Sequence, residues 1–255
     1  MDADLLEGLL VVDGTDYSSE ITFRQLATHR SGLPNLDTSL RFQYWILSKP
    51  KNKRTPEELI NFSRTKDPVG KPDETFAYSS TGFSLLGLAM EGATGRAYHE
   101  IVRDEVLDPL GMTNTFESNQ ELAPNLQTSH HYLGYIELAE NIDPSFEFAD
   151  GGFVTTAADL SKLGHAIAEK TLFASDEADL IFNTETAYGA GFGFYWDETE
   201  SGTRFLFQPG FWGVRLVVFP EENLTIVSTL NQSNSMAQRF LLQTIDVLIE
   251  EGQIK

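Results

Sequence analysis

The chain of 255 residues contains no cysteine, so disulfide bonds, thiolate metal sites and cysteine nucleophiles are all excluded. Basic residues are also scarce, because 18 Lys and Arg stand against 38 Asp and Glu and give a formal net charge of −20. Such a charge repels phosphate backbones and anionic lipid surfaces, so nucleic acid is not an expected partner. The acidic residues are scattered along the chain, which favours a role in solubility or salt tolerance.

Long apolar runs are absent as well, and no segment approaches the roughly 18 residues that a membrane span requires. The start, MDADLLEGLLVVDG, lacks the basic region and the small-residue cleavage site of a signal peptide. If Met1 is the natural start, the sequence predicts a cytoplasmic protein; if it is not, export stays open. No linker rich in Pro, Gly or Ser divides the chain, so we expect a single domain over residues 1–255.

Capping signals predict short helices in the first part of the chain. Thr22 and Thr55 are each followed three residues later by Gln or Glu, which is the spacing of a capping box. The second of these helices begins at Pro56 and is expected to run to about Ser63. Further helices are predicted over 81–93, over 98–107 and after Thr156. The polar stretch over 113–148 is expected to be rich in loops.

The pattern changes near Tyr188 to β-rich, aromatic runs joined by short turns, which predict an antiparallel meander. The last segment, MAQRFLLQTIDVLIEE, carries an apolar stripe that suits packing on this sheet: Met236, Phe240, Leu241, Ile245 and Leu248. The sequence thus predicts a helical lobe over about 21–187, followed by an antiparallel sheet with a covering terminal helix over about 188–255.

Five stretches, in this order, resemble landmarks of the serine β-lactamase-related family: ITFRQLATHRSGLP, FAYSSTGFSLLG, LDPLGMTNTF, DGGFVTTAADLSKL and QPGFWGVRLVVFPEENLTIVSTLNQ. That family comprises class C β-lactamases, D-alanyl-D-alanine carboxypeptidases and related esterases. The resemblance implies an α/β fold of the α+β, β-lactamase/transpeptidase type. It also implies hydrolysis of an amide, β-lactam or ester bond through an acyl-serine, with a small-molecule or peptide substrate and no metal or organic cofactor.

Chemistry in this family uses three clusters around one cleft, of which Tyr-x-Asn is the second. Here that cluster reads Tyr78-Ser79-Ser80, so the resemblance makes Tyr78 the catalytic proton-transfer residue. Ser80 takes the asparagine position and is expected to contact the substrate, although one hydroxyl cannot replace both ends of an amide. Local sequence leaves a second interpretation open, in which Ser80 and Thr81 only cap the following helix.

The third cluster, Lys/His-Thr/Ser-Gly on an edge strand, binds substrate and supplies an oxyanion-hole N–H. Here it reads Gln208-Pro209-Gly210, and the resemblance implies that Gln208, Gly210 and the Phe211 N–H bind substrate. Pro209 would be tolerated because the family places this segment on an edge strand. Trp212 follows directly and is predicted to face the cleft, whereas the nearby aromatic residues are more typical of a sheet core.

The first cluster, Ser-x-x-Lys at a helix start, has no well-placed match in the chain. Ser48 precedes Lys51 in a proline-containing basic loop, and Ser63 precedes Lys66 at a helix end. We therefore expect the N-terminal strands and the nucleophile helix to be missing, and DNA upstream of Met1 to encode Ser-x-x-Lys. The apolar residues of 5–11 are expected to need a core that preceding residues would supply.

Two alternatives to an amide or β-lactam hydrolase stay open at this point. One is a catalytically inactive homologue that binds a peptide or a cell-wall fragment. The other is an esterase-type member, since esters need less protonation of the leaving group. A missing helix and strands would also expose apolar surface, so self-association is a further expectation. His29 is interpreted as a structural corner residue. His130 and His131 are interpreted as surface residues, since no carboxylate or histidine follows at the spacing of a metal site.

Overall fold

A computed structural model describes most of the chain, which forms two compact units. The first unit comprises 1–104, 116–126 and 141–154, and the second comprises 105–115, 127–140 and 155–255. Within these limits the described residues are 2–8, 10–12, 14–64, 66–118, 128–130, 132–133, 136–137, 142–173, 182, 193–231 and 236–254. Whether residues 1–255 fold as one domain stays a prediction.

The first unit is mainly helical. Its helices are α1 Asp2–Leu6, α2 Phe23–Ala27, α3 Leu40–Ser48, α4 Pro56–Ile60, α5 Ser80–Thr94 and α6 Tyr98–Val102. Short antiparallel pairs join β1 Val11–Val12 to β2 Thr15–Asp16 and β3 Phe116–Glu117 to β6 Phe153–Val154. Both predicted capping boxes are present, at Thr22 and at Thr55. Helix α4 ends at Ile60, three residues before the predicted end, because turns continue the chain to residue 64.

Helix α3 was not predicted from the sequence. Its N-cap, Ser39, accepts a hydrogen bond from the Phe42 N–H, but no Glu or Gln follows at the third helical position to complete a capping box. Its apolar residues lie on both faces: Phe42 and Ile46 are buried, whereas the exposed ones are Leu40, Tyr44 and Leu47. An apolar pattern on both faces carries no clear helical period.

The N-terminal residues pack into the core of the first unit. Leu6 and Leu10 are fully buried in one hydrophobic cluster with Leu26, Leu59 and Leu85. The expectation that the apolar residues of 5–11 need a core from preceding residues is therefore wrong for these two side chains. Helices α1, α2, α4 and α6 all contact α5, which is the central element of this unit.

A glycine on α5 sets how closely a later segment approaches the helix. A Cβ added to Gly87 would lie 2.4 Å from the Ala149 Cβ and 2.7 Å from the ring of Phe148. Only a residue without a side chain allows this approach. The segment that contains Phe148 and Ala149 is thus held against α5, and it carries Asp150 to the same side of the helix.

The second unit contains a four-stranded antiparallel sheet. Its strands are β7 Tyr195–Glu198, β8 Arg204–Pro209, β9 Arg215–Phe219 and β10 Leu224–Ser228, in the order β10-β9-β8-β7. This arrangement confirms the predicted meander. The unit also includes the helices α7 Ala157–Ala168 and α8 Met236–Glu250 and the strands β4 Tyr132–Leu133 and β5 Ile136–Glu137. A π-helical turn over Arg103–Leu107 continues α6 where the two units join in sequence.

The sheet has a helix on each face. On one face, Leu241 and Ile245 of α8 pack against Phe205, Val217 and Phe219, as predicted for the terminal helix. Phe240, which the predicted stripe included, is instead 57% exposed, because the buried stripe of α8 runs through its neighbour Leu241.

Helix α7 covers the other face, although the sequence placed it in the helical lobe. Its Ile167 packs with Leu206, Leu216 and Val218, all from the sheet. None of the helices that the structure describes has both the length and the apolar character that crossing a bilayer requires.

Candidate functional site

The hydroxyl groups at the start of α5 bind a neighbouring loop and do not cap the helix. The N-cap is Ser79, and its side chain makes no capping hydrogen bond. The Ser80 Oγ donates to Asp37 Oδ2 at 2.5 Å, and the Thr81 Oγ1 donates to the Pro34 carbonyl at 2.9 Å. The interpretation of Ser80 and Thr81 as helix caps is therefore wrong, because both hydroxyls are engaged across the chain.

The loop over 34–38 is fixed against α5 by a small network around Asn35. Its Oδ1 accepts the N–H of Asp37 at 3.1 Å and the N–H of Ser80 at 3.3 Å. Its carbonyl accepts a hydrogen bond from Lys66 Nζ at 2.9 Å. These contacts hold Asp37 beside Ser80. Asp37 was not predicted as a site residue, although Asn-x-Asp after Pro34 is a turn signal of the kind that positions a carboxylate.

Tyr78 lies on the exposed side of the same cluster, with half of its side chain accessible to solvent. Partial burial raises the pKa of its phenol, hydrogen bonding from Ser80 lowers it, and the charges of Asp150 and Asp37 raise it further. The net direction is upward, so Tyr78 is a neutral phenol at neutral pH. Its ring contacts His29, with ring centroids 4.6 Å apart.

His29 fixes the corner that brings Tyr78 to this position. It is buried, has a φ of +55°, accepts the Ser79 N–H on Nδ1 at 3.2 Å and accepts the Ala77 N–H on its carbonyl at 2.8 Å. Burial lowers the pKa of the imidazole to about 4, so Nδ1 is an acceptor at neutral pH. The structure is consistent with the predicted structural role of His29.

Asp150, which was not predicted as a site residue, is the second acidic residue of the cluster. Its Oδ1 is buried and has no hydrogen-bond partner among the residues that the structure describes. Burial, followed by the charges of Asp37 and Glu147, raises the pKa of the Asp150 carboxyl to about 8, while hydrogen bonding from Ser80 opposes this shift. Asp150 is therefore mainly protonated at neutral pH.

The predicted substrate-binding residues of the second unit lie at the end of β8. This strand lies between β9 and β7, so its prediction as an edge strand is wrong for the strand as a whole. The described pairing with β7 nevertheless ends at Phe207, and Pro209 pairs only with Arg215 of β9. The Gly210 N–H points to the β9 side. The N–H groups of successive strand residues point in opposite directions, so the Pro209 nitrogen points to the β7 side, where the described pairing has already ended. The proline therefore costs no described ladder hydrogen bond.

A tight turn follows Pro209. The Gly210 N–H donates to the Val214 carbonyl at 2.7 Å, and Arg215 Nη1 donates to the Gly210 carbonyl at 2.8 Å. Phe211 lies at the tip with 67% of its side chain exposed and contacts the Trp212 ring edge-to-face, with centroids 4.8 Å apart. Within the described part of the chain, the Phe211 N–H donates to no acceptor.

Gln208 has a buried Oε1 with no hydrogen-bond partner among the described residues. The predicted site residues thus form two groups. Tyr78 and Ser80 lie together in the first unit, and the others lie together in the second unit: Gln208, Gly210, Phe211 and Trp212.

The two fortuitous Ser-x-x-Lys matches are not arranged as nucleophile and base. Ser63 is buried and its Oγ donates to the Ile60 carbonyl at 2.7 Å, while Lys66 Nζ binds Asn35 and Thr38. The Ser48 Oγ donates to the Trp45 carbonyl at 3.1 Å.

The remaining histidine and aromatic residues are described in part. His130 is exposed, as expected for a surface residue, and it pairs with Glu137 because the hairpin of β4 and β5 brings the two together. His131 and Phe192 lie outside the described residues. Phe194 and Trp196 pack with the cluster under α7, as predicted for the sheet core.

Curated relatives match part of the chain at low sequence identity. Penicillin-binding protein 4* of Bacillus subtilis is 27% identical over 120 residues, which are 46% of this chain and 25% of that protein. The chain spans between 25% and 55% of the length of the first curated relatives it matches.

Two solved structures share the fold at low sequence identity. A D-stereospecific amidohydrolase from Streptomyces sp. has a TM-score of 0.80 at 22% identity, over 92% of this chain and 76% of the other. The D-amino acid amidase of Ochrobactrum anthropi with L-phenylalanine amide has a TM-score of 0.77 at 19% identity, over 98% and 79%. The fold is therefore of the β-lactamase/transpeptidase type. Since the Beta-lactamase family model matches residues 4–249, this chain belongs to the beta-lactamase family of serine hydrolases.

Proposed function

We propose that the protein is a hydrolase that cleaves an amide, β-lactam or ester bond through an acyl-serine, with Tyr78 as its proton-transfer residue. One observation carries this proposal: Tyr78 is a half-exposed, neutral phenol held beside the Ser80 hydroxyl at the start of α5. A phenol in this state can pass a proton between a nucleophile and a leaving group. The buried residues around it hold the ring in place.

The turn after Pro209 in the second unit is proposed as a source of substrate-binding groups. The Phe211 N–H lies in a turn that hydrogen bonds from Gly210 and Arg215 make rigid. A fixed backbone donor without an internal acceptor suits the stabilisation of an oxyanion. Gln208 and Trp212 would contact other parts of the substrate.

We propose that the nucleophile of this reaction lies outside residues 1–255. Ser63 is buried against Ile60, and Lys66 is held by Asn35 and Thr38, so this pair does not activate a hydroxyl. The chain by itself is accordingly proposed to be unable to form an acyl-enzyme.

A second candidate function is an inactive homologue that binds a peptide or a cell-wall fragment. The observation that favours it is the hydrogen bond from Ser80 to Asp37, because this hydroxyl is already engaged where the family has a free amide. The Gln208-Pro209 pair also provides no titratable proton. An esterase-type member tolerates the same changes more easily than an amidase.

Labelling with a fluorescent penicillin, followed by mass spectrometry, tests the acyl-serine proposal. Residues 1–255 alone should show no adduct, whereas the protein expressed from its whole genomic locus should be labelled on a serine outside this range. In that protein Tyr78→Phe should lower kcat for an amide, β-lactam or ester substrate by about 100-fold or more. Tyr44→Phe, which alters an exposed tyrosine on α3, is the matched control.

Two outcomes would contradict the proposal. A stoichiometric adduct on Ser48 or Ser63 would show that the chain carries its own nucleophile. A complete locus product that neither labels nor hydrolyses any of the three substrate classes would favour the binding protein.

A further inference from the structure

Helix α3 presents an apolar face to solvent. Leu40, Tyr44 and Leu47 are 80%, 73% and 64% exposed, and their spacing of four and three residues places them on one face of the helix. The buried side chains of α3, Phe42 and Ile46, mark the opposite face. Large apolar side chains that are exposed singly need no explanation, but three that lie together on one face mark an interaction site.

Basic residues follow this face at the end of α3. Residues 38–56 contain five of the chain's 18 Lys and Arg residues and no Asp or Glu, although the chain as a whole has 38 acids. Lys49, Lys51 and Lys53 are exposed, and among the described residues their ammonium groups contact no carboxylate. Arg41 is exposed as well and lies on α3 itself. The charge of the three lysines is therefore not neutralised within the described part of the chain.

Arg54 holds the lysine-bearing loop against the end of the helix. This side chain is buried, and its Nη2 donates to the carbonyls of Ile46 at 3.2 Å and Lys49 at 2.6 Å, while Nη1 donates to the Asn52 carbonyl. The guanidinium lies 4.7 Å from the centre of the Trp45 ring. One guanidinium thus ties the loop to the last turn of α3, so the lysines stay beside the apolar face.

Two acids act by charge on this region, but they act on the buried Arg54 and are bonded elsewhere. They are Asp143 and Glu58. Asp143 Oδ1 accepts the Ser145 N–H at 3.0 Å, and Glu58 Oε2 accepts the Thr55 N–H at 2.9 Å. The other acids give the chain its net charge of −20, whose effect at physiological ionic strength is screened over about 8 Å. An anionic surface that approaches the exposed face of α3 therefore meets lysines first.

The kind of cation distinguishes a lipid surface from a protein partner. Protein–protein interfaces are enriched in arginine and aromatic residues and depleted in lysine, whereas three of the four exposed cations here are lysines. A bilayer suits lysines, because their long stems lie along apolar surface while the ammonium groups reach the headgroups. Tyr44 suits the same depth, since its ring is apolar and its hydroxyl stays hydrated. The surface therefore favours an anionic bilayer.

We propose that the exposed face of α3, together with Lys49, Lys51 and Lys53, is a docking surface for an anionic lipid bilayer. The two leucines and the tyrosine enter the boundary between headgroups and acyl chains, and the lysines bind the lipid phosphates. This contact is peripheral and involves none of the residues of the proposed hydrolase site. It therefore holds or fails independently of the proposed function.

Co-sedimentation of residues 1–255 with lipid vesicles tests the surface. Binding to vesicles of phosphatidylcholine with about one third phosphatidylglycerol should be at least about tenfold tighter than binding to phosphatidylcholine alone. It should weaken about tenfold or more when the salt concentration rises from about 0.1 M to about 0.5 M, because salt screens the lysine contacts. Equal binding to both lipid compositions would overturn the proposal.

A triple substitution measures the contribution of the charges. Lys49→Gln/Lys51→Gln/Lys53→Gln should weaken binding to the anionic vesicles about 100-fold, since each lysine near such a membrane contributes about fivefold. Lys71→Gln removes an exposed lysine elsewhere in the same unit and should change binding little. All four side chains are exposed, so thermal melts of these variants should match the wild type.

A double substitution measures the contribution of the apolar face. Leu40→Ser/Leu47→Ser should weaken binding about tenfold or more and leave its salt dependence in place. Val69→Ser, at another exposed apolar position of the same unit, is the matched control. Because the chain has no cysteine, an environment-sensitive dye on Leu47→Cys reports insertion directly. Its fluorescence should rise with anionic vesicles, whereas the same dye on Val69→Cys should not respond.

Two further results would overturn the bilayer as the partner. One is that the folded triple and double variants bind the anionic vesicles as tightly as the wild type. The other is that no vesicle binds, while the same variants lose self-association in sedimentation velocity, which would assign the face to a second copy of the chain.

Discussion

At the scale of single residues, Asp150 is expected to make stability depend on pH. Burial raises its pKa in the folded state to about 8, against an ordinary value of 3.8, so the folded state binds more protons than the unfolded state between these limits. The resulting contribution is fully present below about pH 4 and is lost as the pH rises to about 8, at no more than about 1.4 kcal/mol per pH unit. Asp150→Asn should remove this slope, because the amide cannot ionise.

Urea unfolding at pH 5 and at pH 8 measures the effect. The variant should be more stable than the wild type at pH 8, and the difference should shrink at pH 5. Asp67→Asn serves as the control, because it removes an exposed carboxyl in the same unit. An Asp150→Asn variant that is equally destabilised at both pH values would mean that Asp150 is ionised in the folded protein.

At the scale of elements, the contact between α7 and the sheet depends on Gly164. A Cβ at this position would lie 2.3 Å from Thr225 Cγ2 on β10 and 2.8 Å from its Oγ1. Gly164→Ala should therefore reduce the free energy of unfolding by about 1–3 kcal/mol, the usual cost of overpacking a close contact. His165→Ala, on the exposed side of the same helix, should have a much smaller effect.

A second substitution tests whether the lost stability comes from this contact with Thr225 or from any change of side chain in α7. Thr225→Ala removes both of the atoms that a new Cβ would meet first, and its Oγ1 has no hydrogen bond to lose among the described residues. The double variant Gly164→Ala/Thr225→Ala should recover most of the lost stability, as a double-mutant cycle in chemical denaturation would show. Additive losses would argue against the predicted contact.

At the scale of the whole molecule, the second unit presents apolar surface that favours self-association. Strand β10 pairs with β9 on one side and with no described strand on the other, and it carries no charged residue. Helix α8 exposes Phe240, Leu242 and Val247. An uncharged strand edge and exposed apolar side chains are each common sites of association between chains.

Sedimentation velocity over a range of concentrations should show dimers or larger species, in spite of the repulsion from a net charge of −20. Phe240→Lys should shift this equilibrium toward the monomer. Gln243→Lys adds the same charge at a neighbouring exposed position, so it separates loss of the apolar contact from the change in net charge. A wild-type chain that stays monomeric at high concentration and binds no hydrophobic dye would count against the prediction.

The sequence by itself determined the features that depend on near neighbours. The capping boxes at Thr22 and Thr55 join residues three positions apart, and the meander follows from alternating runs joined by short turns. Both were predicted correctly because the interactions that form them are local. The family was also recognisable, since its motifs are short continuous stretches, and helix α3 was missed because its apolar residues lie on both faces.

Only the tertiary structure decided what the polar residues at the start of α5 do. The local pattern of Ser80 fits a helix cap, yet its hydroxyl binds Asp37, 43 positions earlier. Hydrogen bonding from Ser80 also lowers the pKa of Asp150, 70 positions later. A local turn signal positions Asp37, but the pKa and the hydrogen bonds of both acids depend on which distant segments pack against them. Sequence patterns describe neighbours along the chain, whereas a buried carboxyl is defined by its neighbours in space.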